Sequence, residues 1–329
     1  MLILNAFLAI LCAVVILALV LQIGIIANLF IIQSNPDKHS LGHLLTYPAG
    51  VNTEVDSPDG HSLFSLHRGS GAPVVLIHEA GLDARTFLLM WDALCGYGFK
   101  VITYDLRGHG RDTATVTGDI STHLADLEAV LDHHDVCDAL LVGHSFGAYL
   151  AMRLLQRRPS LAHTRVRGVV SLAGYAGELP RRGLSLPWMY RWIGQSRVAS
   201  ILRSRMYGWG VAASAFGDQV SDSMIRAYLE IILQRPVGRL DQLFRKLTTN
   251  SFLNELGDDF PVPLLLLCSR EDQRVHAGHS VQIARRVAHA RLGLIDEPVG
   301  HMLPWEAPYL LVEEIRRAFP NRETANILR

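Results

Sequence analysis

From Ser62 onward, apolar positions recur with a period of two or in short unbroken runs, then at helical spacing, and the two patterns alternate. Ser62–His67 alternates and lies between Pro58-Asp59-Gly60 and Gly69-Ser70-Gly71, so an early hairpin strand is expected there. Val74–His78, Lys100–Asp105, Ala139–Gly143 and Val166–Ala173 are short apolar runs of the kind that form buried strands. Between them Arg85–Cys95, Ser121–His134 and about Gly147–Arg157 carry helical spacing, with Ser121 placed to cap the second helix. Strand alternating with helix predicts an α/β fold around a mostly parallel central sheet with helices on both faces.

The alternation stops at about Gly174. From there to Leu256 the spacing is helical and rich in aromatic residues. It resumes with Pro263–Ser269 as a strand, His279–Val287 as a helix, Leu292–Ile295 as a strand and Glu306–Ala318 as a helix. A helical insertion at about 174–256 therefore interrupts a domain spanning 62–329. It follows the carboxyl end of a strand, where open α/β sheets bind ligands, so it is expected to act as a lid.

Ahead of the domain, Leu2–Ile32 holds no charged side chain, and its strongly polar residues are Asn5, Gln22 and Asn28. A helix of about 20 apolar residues spans a bilayer, so residues 1–33 are expected to form an uncleaved transmembrane anchor. A secretory signal peptide would have a basic start, a shorter apolar run and a small-residue cleavage site. A buried core helix would be shorter and flanked by charges. Gln33–Ser40 is polar, and residues 34–61 are expected to be a linker leading into the domain. Lys38 is the one Lys or Arg close to the segment, and it leans the domain toward the cytoplasm.

The chain has 329 residues, of which 49% are apolar and 19% charged, with a formal net charge of zero. That composition suits a sizeable core and gives no pull toward nucleic acid. Cys12, Cys95, Cys137 and Cys268 show no CxxC spacing and no Cys/His cluster. No zinc site is expected from them, and four free, mostly buried thiols are. The insertion carries many arginines, Arg197, Arg203, Arg226 and Arg235 among them, which beside an anchor would favour contact with anionic lipid. Its Trp188, Trp192, Tyr207, Trp209, Phe216 and Tyr228 suit either an apolar pocket or a small core within the insertion itself.

The central chemical signal is GHSFGA at Gly143–Ala148, between a predicted strand and a predicted helix. A serine on so tight a turn is exposed above the sheet edge in a strained conformation, and Gly143 and Gly147 let neighbouring chains approach. Ser145 is the candidate nucleophile, with His144 beside it in the elbow. The N–H of Phe146 would face a developing oxyanion, and the positive end of the following helix would add to it.

Five segments in order carry a resemblance to the α/β-hydrolase superfamily, running from about Ser62 to the last helix. They are VVLIHEAG at Val74–Gly81, YDLRGHG at Tyr104–Gly110, GHSFGA, LLLLCSRED at Leu264–Asp272 and VGHMLP at Val299–Pro304. The resemblance implies an α/β-hydrolase fold and a triad in the order Ser, acid, His. Asp272 then fits the acid, with its neighbour Glu271 as runner-up, and His301 fits the base. The second oxyanion donor by position is the Ala80 N–H. Many members have glycine after the histidine at this point, where this chain has Glu79; its side chain is expected to point away and pair with a nearby arginine. His144 and His109 are read as packing or turn residues, and Arg107 and Asp105 as braces of the sheet edge.

With its anchor and aromatic lid, the chain resembles membrane-bound monoacylglycerol lipases and related esterases. That implies hydrolysis of carboxylic esters with an apolar acyl chain through an acyl-enzyme, on a small-molecule or lipid substrate, with no metal and no organic cofactor. The same triad serves thioesterases, amidases, C–C hydrolases, acyltransferases and cofactor-free peroxidases. The fold also hosts non-catalytic binding proteins, which would usually have lost a triad residue.

Overall fold

The structure, a computed structural model, describes residues 35–320 except 116, 118, 180–194, 205–207, 236–242, 245 and 248, together with Cys12, Val15, Ile16, Gln22 and Ile23. The expected anchor therefore lies almost wholly outside the described residues, as do Trp188, Trp192 and Tyr207 of the insertion. Among the described residues, no helix is long and apolar enough to cross a membrane.

Eight strands build one sheet: β1 (Val51–Asp56), β2 (Ser62–Arg68), β3 (Pro73–Ile77), β4 (Lys100–Tyr104), β5 (Ala139–His144), β6 (Val166–Leu172), β7 (Leu264–Ser269) and β8 (Arg291–Ile295). Their order is β1-β2-β4-β3-β5-β6-β7-β8. The hairpin β1–β2 is antiparallel and β2 meets β4 antiparallel, whereas β4, β3, β5, β6, β7 and β8 pair in parallel. β3 and β5 therefore lie side by side near the centre, and their carboxyl ends open at one edge.

The period of two explains the two-sided packing. Val75, Ile102 and Leu141 are register partners on one face and share a core with Leu127, Leu150 and Ile283. Their neighbours Val74, Val101 and Leu140 face the other way and pack with Trp91, Leu311 and Ile315. The first face is covered by α2 (Ile120–His133), α3 (Phe146–Arg157) and α7 (Gly278–Arg286), and the second by α1 (Leu88–Gly96) and α8 (Pro308–Ala318). Each fully buried Leu or Ile contributes about 1.5–3 kcal/mol relative to an exposed one, so strands buried on both faces read as near-continuous apolar runs. Helix α2 starts one residue before the expected cap. Asp119 takes the capping position, and its carboxylate accepts from Ser121 N at 3.1 Å. An anion there also opposes the positive end of the helix dipole.

The insertion between β6 and β7 contains α4 (Gln195–Arg203), α5 (Gly208–Ala213) and α6 (Asp222–Ile232). Trp209, Phe216 and Tyr228 are buried together with Trp305 and Leu44, so these three aromatics fill the insertion's own core. Residues ahead of β1 dock onto it. Asn35 Nδ2 donates to Asp218 O and Val220 O, and Ser223 N donates to Asp37 Oδ1. Leu44, in a single helical turn at Leu41–Leu44, completes that core. All four cysteines are free, but Cys268 alone is buried: Cys12 and Cys137 are exposed and Cys95 is half-buried.

Candidate active site

Ser145 stands between β5 and α3 with φ 52° and ψ −107°, left-handed backbone that a non-glycine residue rarely adopts. The surroundings enforce it. Ser145 N donates to Leu172 O at 2.8 Å, and Ser145 O accepts from Tyr149 N at 3.1 Å in the first turn of α3. The glycines on either side answer to close contact. A Cβ on Gly143 would lie 2.3 Å from Ala148 N, and one on Gly147 would lie 1.9 Å from Ile77 O. The elbow is thus pressed against the end of β3, and Ser145 is 7% exposed at the opening edge of the sheet.

His301 follows β8 and is buried. Its Nδ1–H donates to Asp272 Oδ2 at 2.8 Å. Asp272 is fixed in turn: its Oδ1 accepts from Arg274 N at 2.8 Å and Val275 N at 2.9 Å. Glu271 is exposed, so Asp272 is the carboxylate behind the imidazole. The His301 loop is also tied to the insertion. Glu306 accepts from Gly217 N at 2.7 Å and Gly300 N at 2.9 Å, and Met302 N donates to Ala215 O at 2.8 Å.

The expectation for Glu79 is overturned. Its carboxylate turns into the site, 5% exposed, and Oε2 accepts from His301 Nε2 at 2.9 Å. Among the described residues, no hydrogen bond joins His301 Nε2 to Ser145 Oγ. The cause lies in the loop. The His78 imidazole donates through Nδ1 to Glu79 O and accepts from Leu106 N at Nε2, both at 2.8 Å, which sets the path of the chain after β3. His78 serves as this brace in neutral form, because burial pulls it down to about 3.

His301 therefore lies between two carboxylates. Burial opposes its charged form, but Asp272 and Glu79 outweigh that and hold it up at about 10. Burial likewise pushes Glu79 up, yet His301 brings it down to about 2. His144 is also buried, which lowers it to about 4; its Nε2–H donates to the His301 carbonyl at 2.8 Å. Ala80 is buried at the mouth of the same loop, and its N–H donates to no backbone acceptor among the described residues.

Asp105 and Arg107 act as braces. Asp105 accepts from Ala84 N, Arg111 N and Tyr47 Oη at 2.7–2.9 Å. Arg107 clamps Asp126 and Asp59. Arg235 of the insertion donates to Gly110 O and to Asp112 O, so it points inward to the turn after β4. Sequence reasoning missed Glu306 and the bridging role of His78. Glu306 sits two residues beyond the VGHMLP segment, and its neighbourhood gave no separate signal.

Residues 74–314 match the Alpha/beta hydrolase family, and the chain belongs to that family. Among curated relatives, it is 35% identical over 254 residues to the dihydrolipoyllysine-residue acetyltransferase component of the acetoin cleaving system of Pseudomonas putida, covering 74% of this chain and 62% of that protein. It is 34% identical over 108 residues to a non-heme haloperoxidase of Rhodococcus erythropolis, covering 31% of this chain and 38% of that one. The chain thus spans less than two thirds of the length of either relative. Among solved structures, an esterase from Exiguobacterium antarcticum superposes with a TM-score of 0.70 at 18% identity, covering 81% of this chain and 98% of the esterase. That likeness is one of fold.

Proposed function

We propose that this hydrolase cleaves carboxylic esters through an acyl-enzyme, with Ser145 as nucleophile, His301 as base and Asp272 holding the base. The observation that carries the reading is the strained Ser145 at the β5–α3 elbow together with the buried His301–Asp272 pair on the same sheet edge. Serine is a weak nucleophile until a base takes its proton. Neutral His301 would accept that proton at Nε2 as Ser145 Oγ bonds to the ester carbonyl carbon. The Ala80 and Phe146 N–H groups would then donate to the carbonyl oxygen as it becomes an anion. Collapse of that intermediate breaks the C–O bond, and His301 passes the proton to the leaving alcohol. Water repeats the sequence on the acyl-enzyme and frees the acid. Asp272 keeps the imidazole in the productive tautomer and stabilises its charged form.

Glu79 adds a requirement. The base has to give up the proton that Glu79 holds on Nε2 before Ser145 can be activated. An apolar acyl chain and membrane anchoring through residues 2–32 complete the proposal, the latter resting on the charge-free length of that segment. Fluorophosphonate labelling tests the core of it. Wild type should label at one serine, and folded Ser145→Ala should neither label nor turn over p-nitrophenyl esters, with a loss of several orders of magnitude. Full labelling of Ser145→Ala would remove Ser145 from the nucleophile role.

A further inference from the structure

Glu79, just past β3, His144, the last residue of β5, and His301, in the loop after β8, are far apart in sequence, yet each offers one ligand atom and these atoms lie within 4.8 Å of one another, all three residues being buried. Among the described residues, two of their atoms have no hydrogen-bond partner: Glu79 Oε1 and His144 Nδ1. Both are acceptors. His144 Nε2 carries its proton, because it donates to the His301 carbonyl, and this leaves a lone pair on Nδ1. A buried acceptor without a donor is costly, and two in one cluster call for a shared electrophile.

The outer contacts of the two imidazoles have the pattern that metal-binding histidines show. Such a histidine directs its second ring nitrogen to a carboxylate or a backbone carbonyl, which fixes the ring and raises its basicity. Here His301 Nδ1 donates to Asp272 Oδ2 and His144 Nε2 donates to His301 O, each at 2.8 Å. The free positions are then His301 Nε2, His144 Nδ1 and the Glu79 carboxylate. Two imidazoles and one glutamate form a known donor set for Zn²⁺ with a fourth position left open.

We infer that these three residues form a binding site for a divalent transition metal of the Zn²⁺ class, and that metal bound there switches the serine chemistry off. The metal takes the place of the proton on His301 Nε2, and that proton leaves to solvent. The lone pair that would accept the Ser145 proton is then engaged. Ligand atoms of a tetrahedral site stand about 3.3 Å apart for metal–ligand lengths of about 2.0–2.1 Å. The Glu79 side chain, two residues past the end of β3, supplies the remaining closure by rotation.

The off-switch rests on the serine-hydrolase reading, but the binding does not, and the two are measured separately. Full-length protein stripped with chelator is titrated with Co²⁺ while its visible absorption is followed, and with Zn²⁺ by calorimetry. One saturable site with tetrahedral Co²⁺ bands is expected. Glu79→Gln and Asp272→Asn should each weaken it by about 10–100-fold, and Ser145→Ala should bind as wild type. Zn²⁺ should suppress fluorophosphonate labelling, and EDTA should restore it. The site is overturned by the absence of saturable binding, or by wild-type affinity in both folded ligand and support variants; either outcome would leave a bridging water as the partner of the two acceptors. Undiminished labelling at saturating Zn²⁺ overturns the switch. Absence of labelling in metal-free wild type would instead count against Ser145 as nucleophile while leaving metal binding intact.

Discussion

Glu79 Oε2 accepts a hydrogen bond of 2.9 Å from His301 Nε2, the nitrogen that faces the nucleophile in a serine triad. With Asp272 on Nδ1, the imidazole is held as a cation at about 10. An imidazolium cannot take a proton from Ser145, so the active fraction of metal-free enzyme should grow as pH rises above neutrality and reach half its maximum near pH 10. Replacing Glu79 by Gln removes one of the two charges that raise the base. The half-maximum of kcat/KM should then move down by about 1–3 pH units, with activity at pH 7 rising. The pH–rate profiles of chelator-treated wild type and Glu79→Gln give the answer; superimposable profiles would mean that Glu79 leaves the base alone.

The same pair contributes stability with a defined pH window. His301 is raised above its ordinary 6.5, so its share is complete below that value and is lost as pH climbs through about 10. Glu79 is lowered from 4.5, so its share is present above that value and is lost as pH falls through about 2. Thermal melts of wild type and Glu79→Gln should therefore differ most between these limits and converge at both extremes.

Asp272 and Glu271 are adjacent in sequence but not equivalent. Asp272 is buried, bonded to His301 and held by two backbone N–H groups, whereas Glu271 is exposed. Asp272→Asn should reduce ester turnover by about 10⁴-fold, and Glu271→Gln should stay within a few-fold of wild type. Steady-state rates on one p-nitrophenyl ester decide between them, and the reverse ranking would move the acid to Glu271.

Every strand but β1 was legible in the sequence: β2 and β8, with partly exposed residues, by their place between turns and helices, and the central strands by burial on both faces. β3, β4, β5, β6 and β7 carry unbroken apolar runs because helices cover each side. β1 escaped notice because it is an edge strand whose one buried residue is Val55, so Val51–Asp56 shows no continuous apolar run. The candidates Ser145, Asp272 and His301 could be proposed from the sequence because each follows the end of a strand, in the order that the resemblance implies. Glu79 could be named as a departure but not oriented. Its direction depends on the His78 ring bridging Glu79 O and Leu106 N, two segments nearly thirty positions apart. The metal-class cluster was hidden for the same reason, since residues 79, 144 and 301 have no local spacing.

The proposed anchor can be separated from the fold at a defined point. Asn35 and Asp37 hydrogen bond to the insertion, so they belong with the domain. Deleting residues 2–34 should release the protein from membranes and preserve turnover of short, water-soluble esters. Deletion through residue 40 should also lower Tm, because those contacts go with it. Carbonate extraction of the full chain, alongside melts of both truncations, tests this; a full-length protein that carbonate removes would not be membrane-spanning.

The elbow makes the sharpest demand on packing. A Cβ at Gly147 would lie 1.9 Å from Ile77 O and 2.6 Å from Ile77 C, both backbone atoms at the end of a central strand. Neither can retreat without breaking the pairing of β3 with β5, so Gly147→Ala should destabilise the protein by about 3 kcal/mol or more. It should also displace Ser145, which shares that turn. Gly96, at the end of α1, has nothing among the described residues within 4 Å of its Cβ position. Gly96→Ala should be neutral or stabilising by up to about 1 kcal/mol, as expected for alanine replacing glycine in a helix. Chemical denaturation of the two variants supplies the comparison, and fluorophosphonate labelling of any folded Gly147→Ala reports on the nucleophile. Equal stability in the two proteins would show that the backbone around Ser145 yields more readily than these contacts allow.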